Sequence, residues 1–409
     1  MKLNPIHVFV AGAALLCSCH SSDKGFHSAV VTAKPGTFGY DLDFLRKKGD
    51  VVILKDSNGV SEVVVSPKYQ GKVFTSTAEG DTGKSFGWIN YKAFDAAVDP
   101  HMNAYGGEDR LWLGPEGGKF ALFFKKGTKM EFANWFTPAA FDHESWKVTG
   151  KSENQVSLTK EMSLVNYKDT KLDLKVDRKI TLLEREDINK VLKIQLDSSV
   201  KAVGIKTNNS IINTGKDEWT KQTGAPCLWN LDMFTPSPQV TIVIPYNEKA
   251  GGKIATTDYF GQIPSNRVVT KNGHLFFKAD GKSRGKLGMS AARTLSVAGS
   301  YDAANNVLSI ILFDVDNKAT YLNQEWKTDK DPLVGDAVNA YNDGPLGNGS
   351  QLGPFYEMES VSPGAFLKPG EKLTHQHFIF HFTGDKARLS GVASRVLGVS
   401  LSDIQSALK

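Results

Sequence analysis

The sequence predicts an all-β fold built as an antiparallel sandwich, and three observations lead there. Short β-branched or alternating runs recur along the chain, separated by Gly, Asn, Asp and Pro turns. Helical stretches between these runs are too few to supply the crossovers that a parallel sheet requires. No internal repeat is visible, which disfavours a β-propeller. With 409 residues the chain can bury a large core without covalent staples, as one large β domain or two smaller ones.

Taken from the N-terminus, the first element is a secretory signal. Lys2 supplies a positive start, Ile6 to Leu16 an apolar stretch too short to span a bilayer, and Leu16-Cys17-Ser18-Cys19 places small residues before a cysteine. This reads as a lipoprotein signal over residues 1–18. Cys19 then becomes the acylated first residue of the mature chain, and lipid at the cell envelope its only membrane attachment. Residues 19–36 are rich in Ser, Lys, Gly and Ala without periodicity and form a flexible tether. The remainder, 37–409, is read as a single domain.

Tyr40 to Lys48 predicts a short amphipathic helix, with Leu42 and Leu45 on one side and Gly49 just past its end. Strands are expected at Val51–Leu54, Glu62–Val65, Phe120–Phe124, Gln155–Leu158, Leu172–Leu182 and Val191–Leu196. They continue at Val240–Pro245, Leu275–Lys278, Val307–Val315 and Leu373–Phe382. At the end, Asp385 can cap a helix carrying Leu389, Val392 and Val396, and Ser402 a last short one.

Composition narrows function. Of three cysteines, Cys17 leaves with the signal and Cys19 carries lipid, so Cys227 has no partner for a disulfide and reads as a small buried apolar residue. A net charge of +5 over so long a chain argues against nucleic acid or a membrane surface as specific partner. Phosphate loops, dinucleotide fingerprints, GxSxG elbows and HExxH are absent, and no cofactor is implied.

Two segments concentrate chemistry. In the first, His101 to Phe124, glycine pairs at Gly106-Gly107 and Gly117-Gly118 permit tight turns on either side of a presented strand. Alternation puts Arg110 and Trp112 on one face and Leu111 and Leu113 on the other. Carboxylates and guanidinium groups bind paired sugar hydroxyls and an indole covers an apolar ring face, so Glu108, Asp109, Arg110 and Trp112 fit a sugar site. They fit equally a buried ion pair of Arg110 with Glu108 or Asp109 that braces the two turns, with Trp112 in the core. Trp88, Trp135, Trp219, Trp229 and Trp326 lie among polar and turn residues, where several on one face would make a carbohydrate platform.

The second segment, Phe355 to Phe382, reads as strand, Pro/Gly turn, strand. Glu357 and Glu359 share one face of the first strand, where repulsion can raise one pKa into a range suited to proton transfer; an exposed, solvated face is the alternative. In the second strand Phe378, Phe380 and Phe382 must be core, which leaves His375, His377 and His381 facing solvent, a groove or a supporting layer. His-x-His on a strand can hold a metal, but no carboxylate follows at a suitable spacing, and solvated or hydrogen-bonded histidines are the reading adopted.

The chain resembles a family of exported bacterial lipoproteins through GGEDRLWLGPEGG at Gly106–Gly118, YNDGP at Tyr341–Pro345 and QLGPFYEMES at Gln351–Ser360. That family in turn resembles the galactose mutarotase-like, or aldose 1-epimerase-like, β-supersandwich, which implies a carbohydrate-active or carbohydrate-binding protein. Met358-Glu359-Ser360 ahead of Leu367-Lys368-Pro369-Gly370-Glu371 resembles the strand of the epimerase catalytic glutamate, which implies Glu359 as base. Asp109-Arg110 resemble the sugar-binding Asn-Arg pair. Thr207-Asn208-Asn209-Ser210 stands where the epimerases carry Thr-Asn-His-Ser, and Asn209 cannot donate a proton as an acid. The resemblance therefore implies Asn209 as a substrate-orienting residue and requires His375, His377 or His143 as proton donor, with Trp112 or Trp229 stacking on the sugar. A non-catalytic glycan binder and a structural envelope lipoprotein are the competing readings.

Overall fold

Strand alternation sets the architecture of the computed structural model, which describes residues 34–409. The signal, Cys19 and most of the tether lie outside the described residues. Every pairing within the sheets is antiparallel, and the largest sheet has ten strands. In spatial order these are Val268–Lys271, His274–Lys278, Val240–Pro245, Val297–Asp302, Val307–Phe313, Lys372–Thr383, Lys201–Asn213, Lys171–Leu182, Gln155–Val165 and Lys147–Lys151. Packed against it is a five-stranded sheet in the order Gly285–Ser290, Asp336–Asn342, Tyr356–Val361, Cys227–Phe234, Arg110–Gly114. A three-stranded sheet, Val52–Lys55, Glu62–Ser66 and Lys72–Thr77, carries the N-terminal helix Phe38–Lys48. The result is an antiparallel β-supersandwich.

The core lies in two layers. Ile205, Ile211, Ile242, Ile244 and Ile379 of the ten-stranded sheet meet Leu228, Leu287, Met289 and Met358 of the five-stranded sheet. On the far side of the large sheet, Leu308, Ile310, Phe380 and Phe382 pack under helices Arg185–Leu192, Lys386–Val396 and Leu401–Ser406. Each such side chain removed from water contributes about 1.5–3 kcal/mol. Among the described residues no helix is long and apolar enough to cross a membrane.

The long strands fall where alternation is clean, but several expectations need correction. Phe120–Phe124 is not a strand: all five residues are buried, and turn bonds such as Leu122 N–H to the Pro115 carbonyl (2.9 Å) satisfy the backbone. Val191–Leu196 is the end of a helix and a following turn. Glu186 and Asp187 favour its first turn, Lys193 closes it at φ 54°, and the Asn189 side chain accepts from Leu196 N–H. The last helix is capped by Ser400, whose hydroxyl accepts from Asp403 N–H, rather than by Ser402. The largest correction concerns the histidines. Because the ten-stranded sheet is covered on both faces, His375, His377 and His381 are as buried as Phe380 and Phe382, and none faces solvent.

Candidate functional site

Five strands that alternate in register present one set of side chains on the outer face of the smaller sheet. Arg110 lies opposite Leu231, which lies opposite Glu359; Trp112 lies opposite Trp229. One step along, Met233, Glu357, Tyr341 and Lys286 continue across the sheet. Loops add Glu116, Phe132, Trp135, Phe260, Arg284, Trp326 and Phe355, which line an open cavity of about 550 Å³ that includes solvent at its mouth. Phe132 and Leu352, 53% and 39% exposed, form its rim. Gly106, at φ 89°, turns the chain into the Arg110 strand so close to Trp88 that a Cβ would overlap its carbonyl oxygen.

Each carboxylate of the Glu357/Glu359 pair has its own cation from a different strand. Arg110 Nη2 donates to Glu357 Oε1, and the guanidinium sits 4.8 Å from the Trp112 ring centre. Lys286 Nζ lies 3.0 Å from Glu359 Oε2 and 4.4 Å from the Trp229 ring centre, while Trp229 Nε1 donates to the same oxygen at 2.8 Å. Burial pushes Glu357 up to about 8; Arg110 and Lys286 oppose the rise and the Glu359 charge adds to it. Burial works against the Lys286 ammonium, yet Glu359, Glu116 and Glu357 together hold its pKa above the ordinary lysine value. Glu116 is buried at the cavity wall, where the Trp326 indole faces its carboxyl. Burial raises its pKa against the pull of Lys286 and Arg284. Arg110 Nε, Trp135 Nε1, Trp326 Nε1 and Arg284 Nε are buried without a geometrically formed hydrogen bond among the described residues. Such groups are costly unless a ligand or water meets them.

The sequence-predicted residues divide between two sides of this sheet. Arg110, Trp112 and Trp229 line the cavity, and Glu359 stands on the same face directly behind it, fully buried against Lys286 and Trp229. Glu108, Asp109, Asn209 and His375 lie away from the cavity, in a polar network between the two sheets. Asp109 immediately precedes Arg110, so period two sends it inward. There Arg178 Nη2 lies 3.0 Å from Asp109 Oδ2, and Asn230 donates to Asp109 Oδ1 at 2.8 Å. Arg178 also donates to Asn209 Oδ1, the Gly71 carbonyl and the Asp109 carbonyl. Glu108 accepts from Ser76 at 2.7 Å and bonds His381 at 3.2 Å.

His375 bonds Ser360 Oγ at 2.9 Å, and burial with the neighbouring His377 charge pushes it down to about 3. It is a neutral interior group. The same Ser360 oxygen meets His377 Nδ1 at 2.9 Å, and His377 Nε2 meets Asp232 at 2.7 Å, an order resembling a hydrolase triad. All three are fully buried, so no substrate carbonyl can reach the serine, and the arrangement is structural. Cys227 is buried and its thiol is pushed up to about 12 by burial. Among the described residues no group of three or more His, Cys, Asp or Glu side chains is arranged to hold a metal.

Sequence reasoning did not single out Glu116, Lys286 or Arg284. Lys286 left a faint signal as a lysine between apolar positions in Gly285-Lys286-Leu287-Gly288-Met289, and Glu116 sits beside the second glycine turn. Nothing local marks either as facing Glu359.

The profile of one protein family matches residues 36–408. The chain belongs to DUF6786, a family of unknown function. No curated protein matches this DUF6786 chain. Solved structures similar to it include a Synechocystis protein, 13% identical, with 82% of this chain and 96% of that one covered at a TM-score of 0.49. A galactose mutarotase-like protein from Lactobacillus casei is 10% identical over 81% of this chain and all of its own (100%), at 0.47. A galactose mutarotase related enzyme from Lactobacillus acidophilus is 10% identical over 81% and 97%, at 0.44. These are likenesses of backbone course, and no residue's role rests on them.

Proposed function

We propose that this DUF6786 domain binds a carbohydrate in the cavity on the outer face of the five-stranded sheet. The observation that carries the reading is the Arg110–Glu357 pair set among indole rings, with unpartnered donors around it. A guanidinium and a carboxyl group held side by side can take vicinal hydroxyls by paired hydrogen bonds, while Trp326 and Phe132 offer apolar surface to a ring face. Proton transfer to the bound sugar is a second reading, favoured by Glu116, a carboxyl on the cavity wall whose pKa burial raises. In that reading Glu116, rather than a histidine, holds the proton, since His375 and His377 lie behind the sheet.

Calorimetric titration against a panel of mono- and oligosaccharides tests the binding claim. Trp326→Ala, at a partly exposed wall position, is expected to weaken binding of a cognate sugar by about 1.5–3 kcal/mol while the protein stays folded. Unchanged affinity in that variant, or no binding across the panel, would leave the structural reading in its place.

We also propose that Cys19 anchors the domain by lipid at the cell envelope, supported by the small residues preceding Cys19 and the short apolar stretch before them. Cys19→Ser is expected to move the protein out of the membrane fraction or leave its signal uncut. Mass spectrometry showing an unmodified Cys19 in membrane-bound protein would refute it.

A further inference from the structure

Charge in the cavity is paired unevenly. Arg110 faces Glu357 and Lys286 faces Glu359, which leaves one guanidinium, Arg284, and one carboxyl, Glu116, with no ion pair among the described residues. Arg284 stands at the start of the Gly285–Ser290 strand, with its guanidinium carbon 4.2 Å from the Phe260 ring centre and its Nε buried without a partner. Its backbone is held from two sides. Asn342 Nδ2 donates to the Ser283 carbonyl at 2.8 Å, and Gly344 packs so closely that a Cβ there would strike the Ser283 and Arg284 amides. The side chain is thus a half-buried cation at the cavity wall, stacked on Phe260.

Resting on the carbohydrate reading above, we propose that the cavity takes an acidic sugar, and that Arg284 is the residue that receives its carboxylate. A guanidinium stacked on an aromatic face keeps its in-plane N–H groups free, and that planar fork matches a carboxylate bidentately. A neutral sugar leaves this cation unmatched in a largely apolar cavity, whereas a hexuronate unit neutralises it while its hydroxyls meet the Arg110–Glu357 pair. Glu116 does not stand in for that anion: no ion pair joins it to Arg284 among the described residues, and burial raises its pKa. Sugar sulfates and phosphates carry the same charge on a tetrahedral group and are the natural comparison.

The test is calorimetric titration of the full mature chain with glucuronate and galacturonate, against glucose and galactose and their 6-sulfates and 6-phosphates. Uronates are expected to bind about tenfold or more tightly than the neutral sugars, with an advantage that shrinks as salt is added. Arg284→Gln is expected to erase that advantage, so that uronates bind no more tightly than neutral sugars, with circular dichroism confirming the fold. Equal affinity for neutral and acidic sugars, or a uronate preference that survives in Arg284→Gln, overturns the inference and leaves the carbohydrate reading standing. Preference for the sulfate or phosphate esters overturns the carboxylate assignment. Failure of every sugar to bind removes both readings.

Discussion

Arg178→Met is expected to destabilise the domain by about 3–5 kcal/mol, measured as the shift in urea unfolding at neutral pH. Arg178 is almost wholly buried between the two sheets, where it lies 3.0 Å from Asp109 Oδ2 and donates to Asn209 Oδ1 and to two backbone carbonyls. Methionine fills most of the volume but leaves the Asp109 carboxylate without its counter-ion and three further acceptors without their donor. Arg178→Lys should rescue little, because one ammonium cannot reach acceptors spread around a planar guanidinium. A loss below about 1 kcal/mol would show that the network rearranges around the gap and does not hold the sheets together. The expected cost is large because Asp109 sits at the inner edge of the strand that carries Arg110. Loosening it displaces the cavity as well as the core.

The second large effect belongs to Arg110→Met, and it should depend on pH. Glu357 is pushed up to about 8 from an ordinary 4.5, so the folded state holds a proton that the unfolded chain releases. Its contribution to stability is therefore full below about 4.5 and is lost as pH rises through about 8. Without the Arg110 guanidinium the carboxyl climbs further, and the loss extends to higher pH. Arg110→Met should cost about 1 kcal/mol near pH 5, where Glu357 is protonated in either protein, and about 1.4 kcal/mol more near pH 9, where the wild-type carboxyl has ionised against Arg110 and the variant's has not. Thermal unfolding across that range reads the difference, and a pH-independent effect would contradict the pairing. The same variant should lose about 1.5–3 kcal/mol of sugar binding, the worth of a hydrogen bond to a charged group.

The sequence shows clearly which residues share a strand face and poorly which faces meet. Arg110 with Trp112, and Glu357 with Glu359, follow from alternation alone, and both sets do line the outer face of one sheet. The same rule places His375, His377 and His381 together, but it cannot show that helices cover the opposite face of their sheet, so it leaves solvent, a groove and a supporting layer open where the packed sheets make them interior. Asp109 shows the limit most sharply. Next to Arg110 in the chain, it was grouped with it by chemistry, although a step of one residue in a strand points a side chain to the other side of the sheet.

Periodicity and turn chemistry are local, so the all-β class, the antiparallel pairing and the strained turn at Gly106 are written in residues close together in the chain. The partners of buried charges are not local. Glu357 meets Arg110 across 247 positions, and Lys286 reaches Glu359 from the far edge of the five-stranded sheet. Whether a carboxylate serves as a solvated surface charge, a structural brace or a group poised to lose a proton depends on desolvation and on which cation the fold carries to it, and both are properties of the packed sheets.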